Sequence, residues 1–496
     1  MNNSVEYPVA TASGTLQRRS GMAFAFVALG FAAMVLIFIL AERLPQLTPT
    51  QIVLALVLAI PIGILAVMGA MQGMQKLMVL RKELVWWHWL WLLIAISATV
   101  FRFGRDATQV TSSPLDAWAL LRLGPEAIVV LVLVIRLVLR RPNWVPDLFT
   151  GLTKWMAIFA LVCVMTTLWS IYASWTFYKS VEFLFDVSLL AAILASIDTV
   201  KSYSTLLDWT WLLYGLELLS AWLGSLIWPG EAWVEGRLEG VFPIVPFNTV
   251  GETGAILALI AMCRLLTISK EKPQRAWYGL LLAFGLISLF VSQTRNTMAG
   301  LLLGIILVLF YMRRFVTTTI LGVASALALG LSSLGPAVWK YLERDQSEAQ
   351  LVSLTGRMDW WRFAWQQFLQ HPFTGLGAYA GGKFGVLAKL HLNNGAIHSD
   401  YMEVIVGTGI WGIPPLVIVL VGTWWYLIRG VRTRSLPANE RQWAIECIGV
   451  MAIITVHSVF NVELTWHAPL LFFAIVGYAE MMRRKLKNSK TGYVPS

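Results

Sequence analysis

The chain has 496 residues, of which 57% are hydrophobic and only 13% are charged. This composition excludes an ordinary soluble globular protein and indicates a protein embedded in a membrane. The formal net charge is +11; the basic residues sit in connections between apolar segments, so the charge does not indicate a nucleic-acid partner.

Apolar runs of near-spanning length recur from one end of the chain to the other. In chain order they cover 21–41, 51–70, 85–101, 124–139, 154–173, 181–198, 207–227, 249–267, 276–293, 297–312, 315–336, 402–428, 443–460 and 466–482. We therefore predict an all-α, polytopic integral membrane protein with about 14 transmembrane helices, in a range of about 12 to 14.

Basic residues mark every second connection between these runs. The groups are Arg18/Arg19, Lys76/Arg81/Lys82, Arg140/Arg141, Lys201, Lys270/Lys272/Arg275, Arg313/Arg314, Arg429/Arg432/Arg434 and Arg483/Arg484/Lys485/Lys487. Because positive residues accumulate on the cytoplasmic side, both termini are predicted to be cytoplasmic.

The predicted division of the chain follows from this pattern. Residues 1–20 form an N-terminal tail, and 21–336 contain the first eleven spans with short loops. Residues 337–401 form a large outer loop, 402–482 contain the last three spans, and 483–496 form the C-terminal tail.

Several charged residues remain on the predicted outer side. Lys179, Glu182 and Asp186 are spaced to share one helix face, either as an internal ion pair or as a wall of a reaction cavity. Arg237 lies in the loop 228–248, which is either a substrate entrance or an ordinary structured loop. Arg295 lies in a very short turn, where it either reaches lipid headgroups or binds an anion.

The large outer loop contains an amphipathic pattern. Apolar residues recur at helical spacing over 358–370, which predicts a helix that lies in the outer membrane interface and ends before Pro372. Arg357 is at its start, where backbone N–H groups and a guanidinium can together bind phosphate. Lys383 and Lys389 are expected to be solvated or to face lipid.

Among six histidines, His398 differs from the others because it lies in an outer polar stretch at the mouth of a span. An imidazole there is a candidate for proton transfer. His88 and His457 lie within spans, where a satisfied core histidine is the expected state. Glu403, five residues beyond His398, is a possible orienting partner.

These residues resemble one family. His398-Ser399, followed after nine residues by Gly409 and Gly412, is similar to the histidine motif of bacterial O-antigen ligases. The stretches around Arg357, Arg295 and Arg237 resemble the arginine-containing loops of the O-antigen ligase and O-antigen polymerase superfamily. The resemblance covers approximately residues 165–415, and Ser399-Asp400 and Lys179 depart from its usual pattern.

The resemblance implies an enzyme of the inner membrane that takes a glycan from undecaprenyl diphosphate. It implies a periplasmic active site, lipid A–core as acceptor, membrane lipid as surroundings, and neither a cofactor nor a metal ion. His398 is then the general base, Arg295 and Arg357 act on the diphosphate, and Arg237 and Lys179 help to bind it.

Two other functions compete with the ligase. A polysaccharide polymerase would use the same donor and a second lipid-linked repeat unit as acceptor. A flippase or transporter would place charges along the membrane midplane, whereas the informative charges here gather at the outer mouth.

Overall fold

A computed structural model describes residues 71–75, 77–78, 80–99, 117–140, 142–268, 274–314, 356–392, 396–434, 436–462, 464–465 and 469–491. The predicted spans 21–41, 51–70 and 315–336 lie outside these residues, as do the N-terminal tail and the start of the large outer loop.

The described residues are almost entirely helical. The first helices are α1 (Trp86–Thr99), α2 (Ala117–Val138), α3 (Val145–Leu148), α4 (Gly151–Met165), α5 (Ala173–Ala195), α6 (Val200–Ile227) and α7 (Pro229–Ala232). A two-stranded antiparallel sheet follows, made of β1 (Trp233–Val234) and β2 (Arg237–Leu238).

The second half of the chain continues in the same way. Its helices are α8 (Phe247–Thr267), α9 (Gln274–Ser292), α10 (Arg295–Tyr311), α11 (Arg357–Gln370), α12 (Asp400–Thr408), α13 (Ile413–Arg432), α14 (Ala438–Phe460) and α15 (Leu470–Thr491). Short 3-10 turns occupy Thr166–Leu168 and Gly409–Trp411, and Gly381–Leu387 forms a π-helix.

Six helical segments within the described residues are long and apolar enough to cross a membrane. They are Gly151–Leu168, Val200–Ile227, Phe247–Thr267, Gln274–Ser292, Ile413–Arg432 and Ala438–Phe460, and the apolar helix Arg295–Tyr311 is somewhat shorter. Each overlaps a predicted span, so the all-α membrane class is confirmed. The total number of spans and the outer position of the large loop stay predictions.

The chain divides into two compact units. The smaller comprises residues up to Leu84 together with Ile260–Gly285. Within its described residues, the Trp277 backbone N–H donates to the Gln72 side chain over 3.2 Å. Arg275 donates to the carbonyl groups of Leu265 and Ile268, closing the connection between α8 and α9.

The larger unit comprises Val85–Leu259 and Leu286–Ser496, and a close helix pair lies in it. α10 packs against α14 through glycines: a Cβ on Gly300 would lie 3.0 Å from Ile453, and one on Gly304 would lie 2.9 Å from the Gly449 carbonyl oxygen. Small residues allow helix backbones to approach this closely in a membrane. Gly300 faces Ile453, whereas Gly304, later in α10, faces Gly449, earlier in α14. The two helices are therefore antiparallel. The start of α10, at Arg295, therefore lies at the end of α14.

The predicted apolar span 402–428 is not one continuous helix. It is divided into α12, the Gly409–Trp411 turn and α13. Gly409 has φ +61°, and a Cβ there would lie 2.6 Å from the Pro372 carbonyl oxygen. The left-handed backbone and the close approach both require glycine, and they end the first helix.

Candidate functional site

The C-terminal end of α14 holds two of the predicted site residues. Arg357 Nη1 donates to the Phe460 carbonyl oxygen over 2.9 Å. His398 Nδ1 lies 3.5 Å from Oδ1 of Asn461, the next residue along the chain. The last carbonyls of a helix carry partial negative charge, so a guanidinium is stabilised there. Residues far apart in sequence thus converge on one helix end.

The turn that carries His398 is held by buried carboxylates. His398 itself has φ +54°, an uncommon left-handed conformation for a residue with a side chain. The Ile397 backbone N–H donates to Glu403 Oε1 over 2.8 Å. The Asp400 backbone N–H donates to the Asn461 carbonyl oxygen over 3.1 Å. These bonds fix the direction of the imidazole.

Asp400 ties this turn to the segment that follows α14. Its carboxylate accepts hydrogen bonds from the backbone N–H groups of Leu464 and Thr465 and from the Thr465 hydroxyl, over 2.8–3.1 Å. Asp400 is fully buried. A buried carboxylate that accepts several hydrogen bonds is a rigid cross-link, so the His398 turn and the end of α14 are held together.

The amphipathic helix α11 covers the histidine. The Trp360 ring stacks on the His398 ring with centroids 6.0 Å apart, and Trp361 Nε1 donates to the Ile397 carbonyl oxygen over 3.0 Å. Ala364 packs in a buried cluster with residues of the π-helix and α12. α11 therefore presents Arg357 beside His398.

The inward face of α11 includes a polar side chain. Gln367 is buried and accepts a hydrogen bond from Lys389 Nζ over 2.9 Å. Trp365, by contrast, is 46% exposed. The position of α11 in the outer membrane interface stays a prediction.

The remaining arginines extend the positive charge. Arg295 is the first residue of α10, after Gln293 at φ +51°, and its charge repels those of Arg357 and Arg237. The Arg237 guanidinium lies over the Phe247 ring at 3.9 Å from its centroid and pairs with Glu235. Arg237, Arg295 and Arg357 thus form a series of neighbouring positive charges that ends at His398.

The electrostatic state of the site follows from burial and from these charges. Burial first, and the Arg357 charge second, lower the pKa of His398 to about 4. Burial and the Arg295 charge also lower the pKa of Arg357. His398 is therefore neutral at neutral pH and has a lone pair available to accept a proton. Clustered arginines in a partly desolvated site favour an anion.

Lys179 lies in a different environment from the one its predicted role requires. Its ammonium is buried and bonds Glu182 over 2.6 Å. Arg122 Nη2 reaches the other Glu182 oxygen over 3.0 Å. The internal ion pair, one of the two alternatives from the sequence, is the one observed. The Lys179 ammonium is already bonded to the Glu182 carboxylate, which argues against the predicted binding of diphosphate by Lys179.

The expectation for Lys383 was wrong. The residue is buried rather than solvated, and its ammonium lies 5.0 Å from the centroid of the Trp175 ring. The π-helix Gly381–Leu387 turns this side chain inward, and a cation over an indole face is favourable. Local sequence carried no signal for this arrangement.

The partner of His398 was missed. Glu403 bonds the backbone of Ile397 and orients the turn, whereas the side chain that meets the imidazole is Asn461. Asn461 lies four residues after His457, at the end of a predicted span, and that position was its only signal. His457 is a buried core histidine, as expected, with Nδ1 3.1 Å from a Glu252 carboxylate oxygen. The expectation that it is satisfied is not met at Nδ1, because the ring direction does not fit a hydrogen bond there.

Comparisons with known proteins agree with this arrangement. The apolar helices define a multi-pass membrane protein. The model of the O-antigen ligase family matches residues 280–417, a stretch that includes Arg295, Arg357 and His398. The matched stretch is similar to the O-antigen ligase and polymerase superfamily, whose members are glycosyltransferase-like enzymes acting on lipid-linked glycans.

One curated relative is an uncharacterized protein of Haemophilus influenzae. The two are 23% identical over 201 residues, which cover 39% of this chain and 47% of the relative. The matched region thus spans less than half of either protein.

Proposed function

We propose that the protein transfers a glycan from undecaprenyl diphosphate to a hydroxyl group of lipid A–core oligosaccharide, on the periplasmic face of the inner membrane. The observation that supports this proposal is the convergence of His398 and Arg357 at the end of α14, beside Arg295. A neutral base next to an anion-binding group is what this transfer requires.

The proposed reaction is a single displacement. The acceptor hydroxyl loses its proton to His398 Nε2, and its oxygen forms a bond to the anomeric carbon of the donor sugar. The bond from that carbon to the diphosphate oxygen breaks, and undecaprenyl diphosphate leaves. Attack from the opposite face inverts the anomeric centre.

The arginines act on the leaving group. Negative charge grows on the diphosphate as the bond breaks, and guanidinium groups of Arg357 and Arg295 can stabilise it by charge-assisted hydrogen bonds. Arg237 extends the same positive region. The mechanism needs no metal ion, because the arginines supply the positive charge.

The test uses the purified full chain in lipid nanodiscs with an undecaprenyl-diphosphate glycan. One reaction contains lipid A–core and another contains a second lipid-linked repeat unit. Product with lipid A–core alone supports the ligase. Elongated lipid-linked glycan instead would establish the polymerase, and no product with either acceptor would contradict the proposal.

His398→Ala tests the base. We expect a loss of transfer rate of about 10²–10⁴-fold, the usual contribution of general base catalysis. His371→Ala is the matched control because His371 is an exposed histidine near the end of α11. Full activity of His398→Ala would exclude His398 as the base.

A further inference from the structure

A series of side chains leads from His398 into the membrane-spanning helices. His398 Nδ1 lies 3.5 Å from Asn461 Oδ1. Asn461 Nδ2 lies 3.4 Å from His457 Nε2. His457 Nδ1 lies 3.1 Å from Glu252 Oε2. Four polar side chains from three segments thus form one series: the turn before α12, the end of α14, and α8.

The inner half of this series is deeply buried. His457 and Glu252 lie on α14 and α8, and they are 0% and 2% exposed. A buried histidine and carboxylate are costly unless they satisfy each other. The packing of α8 and α14 therefore holds this pair in a single arrangement.

The chemistry of each atom assigns the protons along the series. Nδ1 of His457 faces a Glu252 carboxylate oxygen at 3.1 Å, although the ring direction does not fit a hydrogen bond. A lone pair on Nδ1 would be repelled by that oxygen, so the proton is favoured on Nδ1 and the lone pair on Nε2. The Asn461 amide must then turn its NH₂ group toward His457 and its oxygen toward His398. That oxygen requires N–H on Nδ1 of His398, which leaves the lone pair on Nε2.

The opposite orientation of the amide would disable the base. If Asn461 turned its NH₂ group toward His398, Nδ1 would become the acceptor and Nε2 would carry the proton. The neutral imidazole could not then accept a proton at Nε2. The wrong tautomer of a catalytic histidine is known to cost several orders of magnitude in rate.

We propose that Glu252 and His457 are positioning residues that act through the Asn461 amide to hold His398 in the tautomer with a free Nε2. This inference rests on the proposed function, because it assigns the proton-accepting atom of the same reaction. When His398 gains a proton, its bond to Asn461 becomes charge-assisted and shortens. The Glu252 charge also stabilises the imidazolium from within the helices.

The first test is Glu252→Gln, which keeps the shape but removes the obligatory acceptor. The glutamine can donate to His457 Nδ1, which reverses the series and protonates Nε2 of His398. We expect kcat to fall about 10²–10⁴-fold, because the base is held in the wrong tautomer, with KM for the donor unchanged. Glu446→Gln is the matched control because Glu446 is also a buried carboxylate of α14, bonded to Gln442. It should keep full activity.

Rescue separates positioning from mere support of the fold. Asn461→Asp places a carboxylate between the two histidines, and it accepts from His398 Nδ1–H whatever the state of Glu252. The double variant Glu252→Gln/Asn461→Asp should therefore regain most of the lost kcat. If the single variant is impaired and the double variant is not rescued, Glu252 does not act through Asn461, and the proposal fails.

A readout without turnover completes the test. The ¹⁵N spectrum of histidine-labelled full chain in nanodiscs, minus that of His398→Ala, reports the tautomer of His398. We expect N–H on Nδ1 in the parent protein and N–H on Nε2 in Glu252→Gln; N–H on Nε2 in the parent overturns the inference. If His398→Ala keeps full activity, the proposed function itself fails. If His398→Ala is inactive and Glu252→Gln is normal, only the positioning role fails.

Discussion

Two groups of basic side chains lie in the larger unit, and they differ in what surrounds them. Between α2 and α5, the Lys179 ammonium and the Arg122 guanidinium both contact the carboxylate of Glu182. At the end of α14, Arg357 donates to a backbone carbonyl, and its neighbours include the positive Arg295 and the neutral imidazole of His398. In the first group the cations contact a carboxylate, whereas in the second the arginines repel one another.

We propose that this difference separates a structural ion pair from a binding site. A matched buried pair stabilises one packing arrangement and attracts no ligand. Clustered like charges cost energy in the empty protein, and an anion recovers that energy when it binds. On this proposal, basic residues serve opposite purposes at the two places.

The largest expected effect is the loss of the matched pair. Glu182→Gln leaves the buried Lys179 ammonium without its counter-charge, which costs about 3–5 kcal/mol of stability. Thermal unfolding in detergent should show a clearly lower midpoint. Asp359→Asn breaks an ion pair with Arg362 at the same i,i+3 spacing, but that pair is exposed, so its cost is about 0.3–0.5 kcal/mol. Equal unfolding midpoints for the two variants would show that the buried pair contributes no more stability than the exposed one.

The second effect concerns the positive site. Arg357→Lys keeps the charge but loses the planar fork of donors, and a charged hydrogen bond contributes about 1.5–3 kcal/mol. We expect glycan transfer to slow about 10- to 100-fold. Arg362→Lys on the exposed face of the same helix is the control and should transfer normally. An unaffected Arg357→Lys variant would mean that the site uses charge alone.

The smallest effect is a shift in pH dependence. His398 must be neutral to accept a proton, and its pKa is lowered to about 4, so kcat/KM should be constant above that pH and decline below it. Arg357→Gln removes the second cause of the lowered pKa, so the acid limb should move to higher pH. Arg362→Gln is the control, because any titration of the substrate itself affects both variants equally. It should leave the acid limb in place. An identical limb in both variants would show that Arg357 does not act on His398.

Much of the local structure was predictable from residue spacing. The start of α11 at Arg357, the apolar helices and the choice of His398 as a candidate base all follow from patterns within short segments. The break at Gly409 was less visible, because hydropathy continues through it while backbone conformation does not. Local patterns indicate the secondary structure that a segment prefers. They do not indicate which residues elsewhere in the chain its side chains contact.

Sequence alone determined the membrane class, the helical periods and the identity of the arginines and the histidine, because these depend on composition and on spacing along the chain. Tertiary structure decided the partners. Lys179 could pair with Glu182 or bind a substrate, and packing of α2 against α5 settled which. Asn461 could meet His398 only because Asp400 binds the segment after α14. Such contacts join residues far apart in sequence, so no local pattern specifies them.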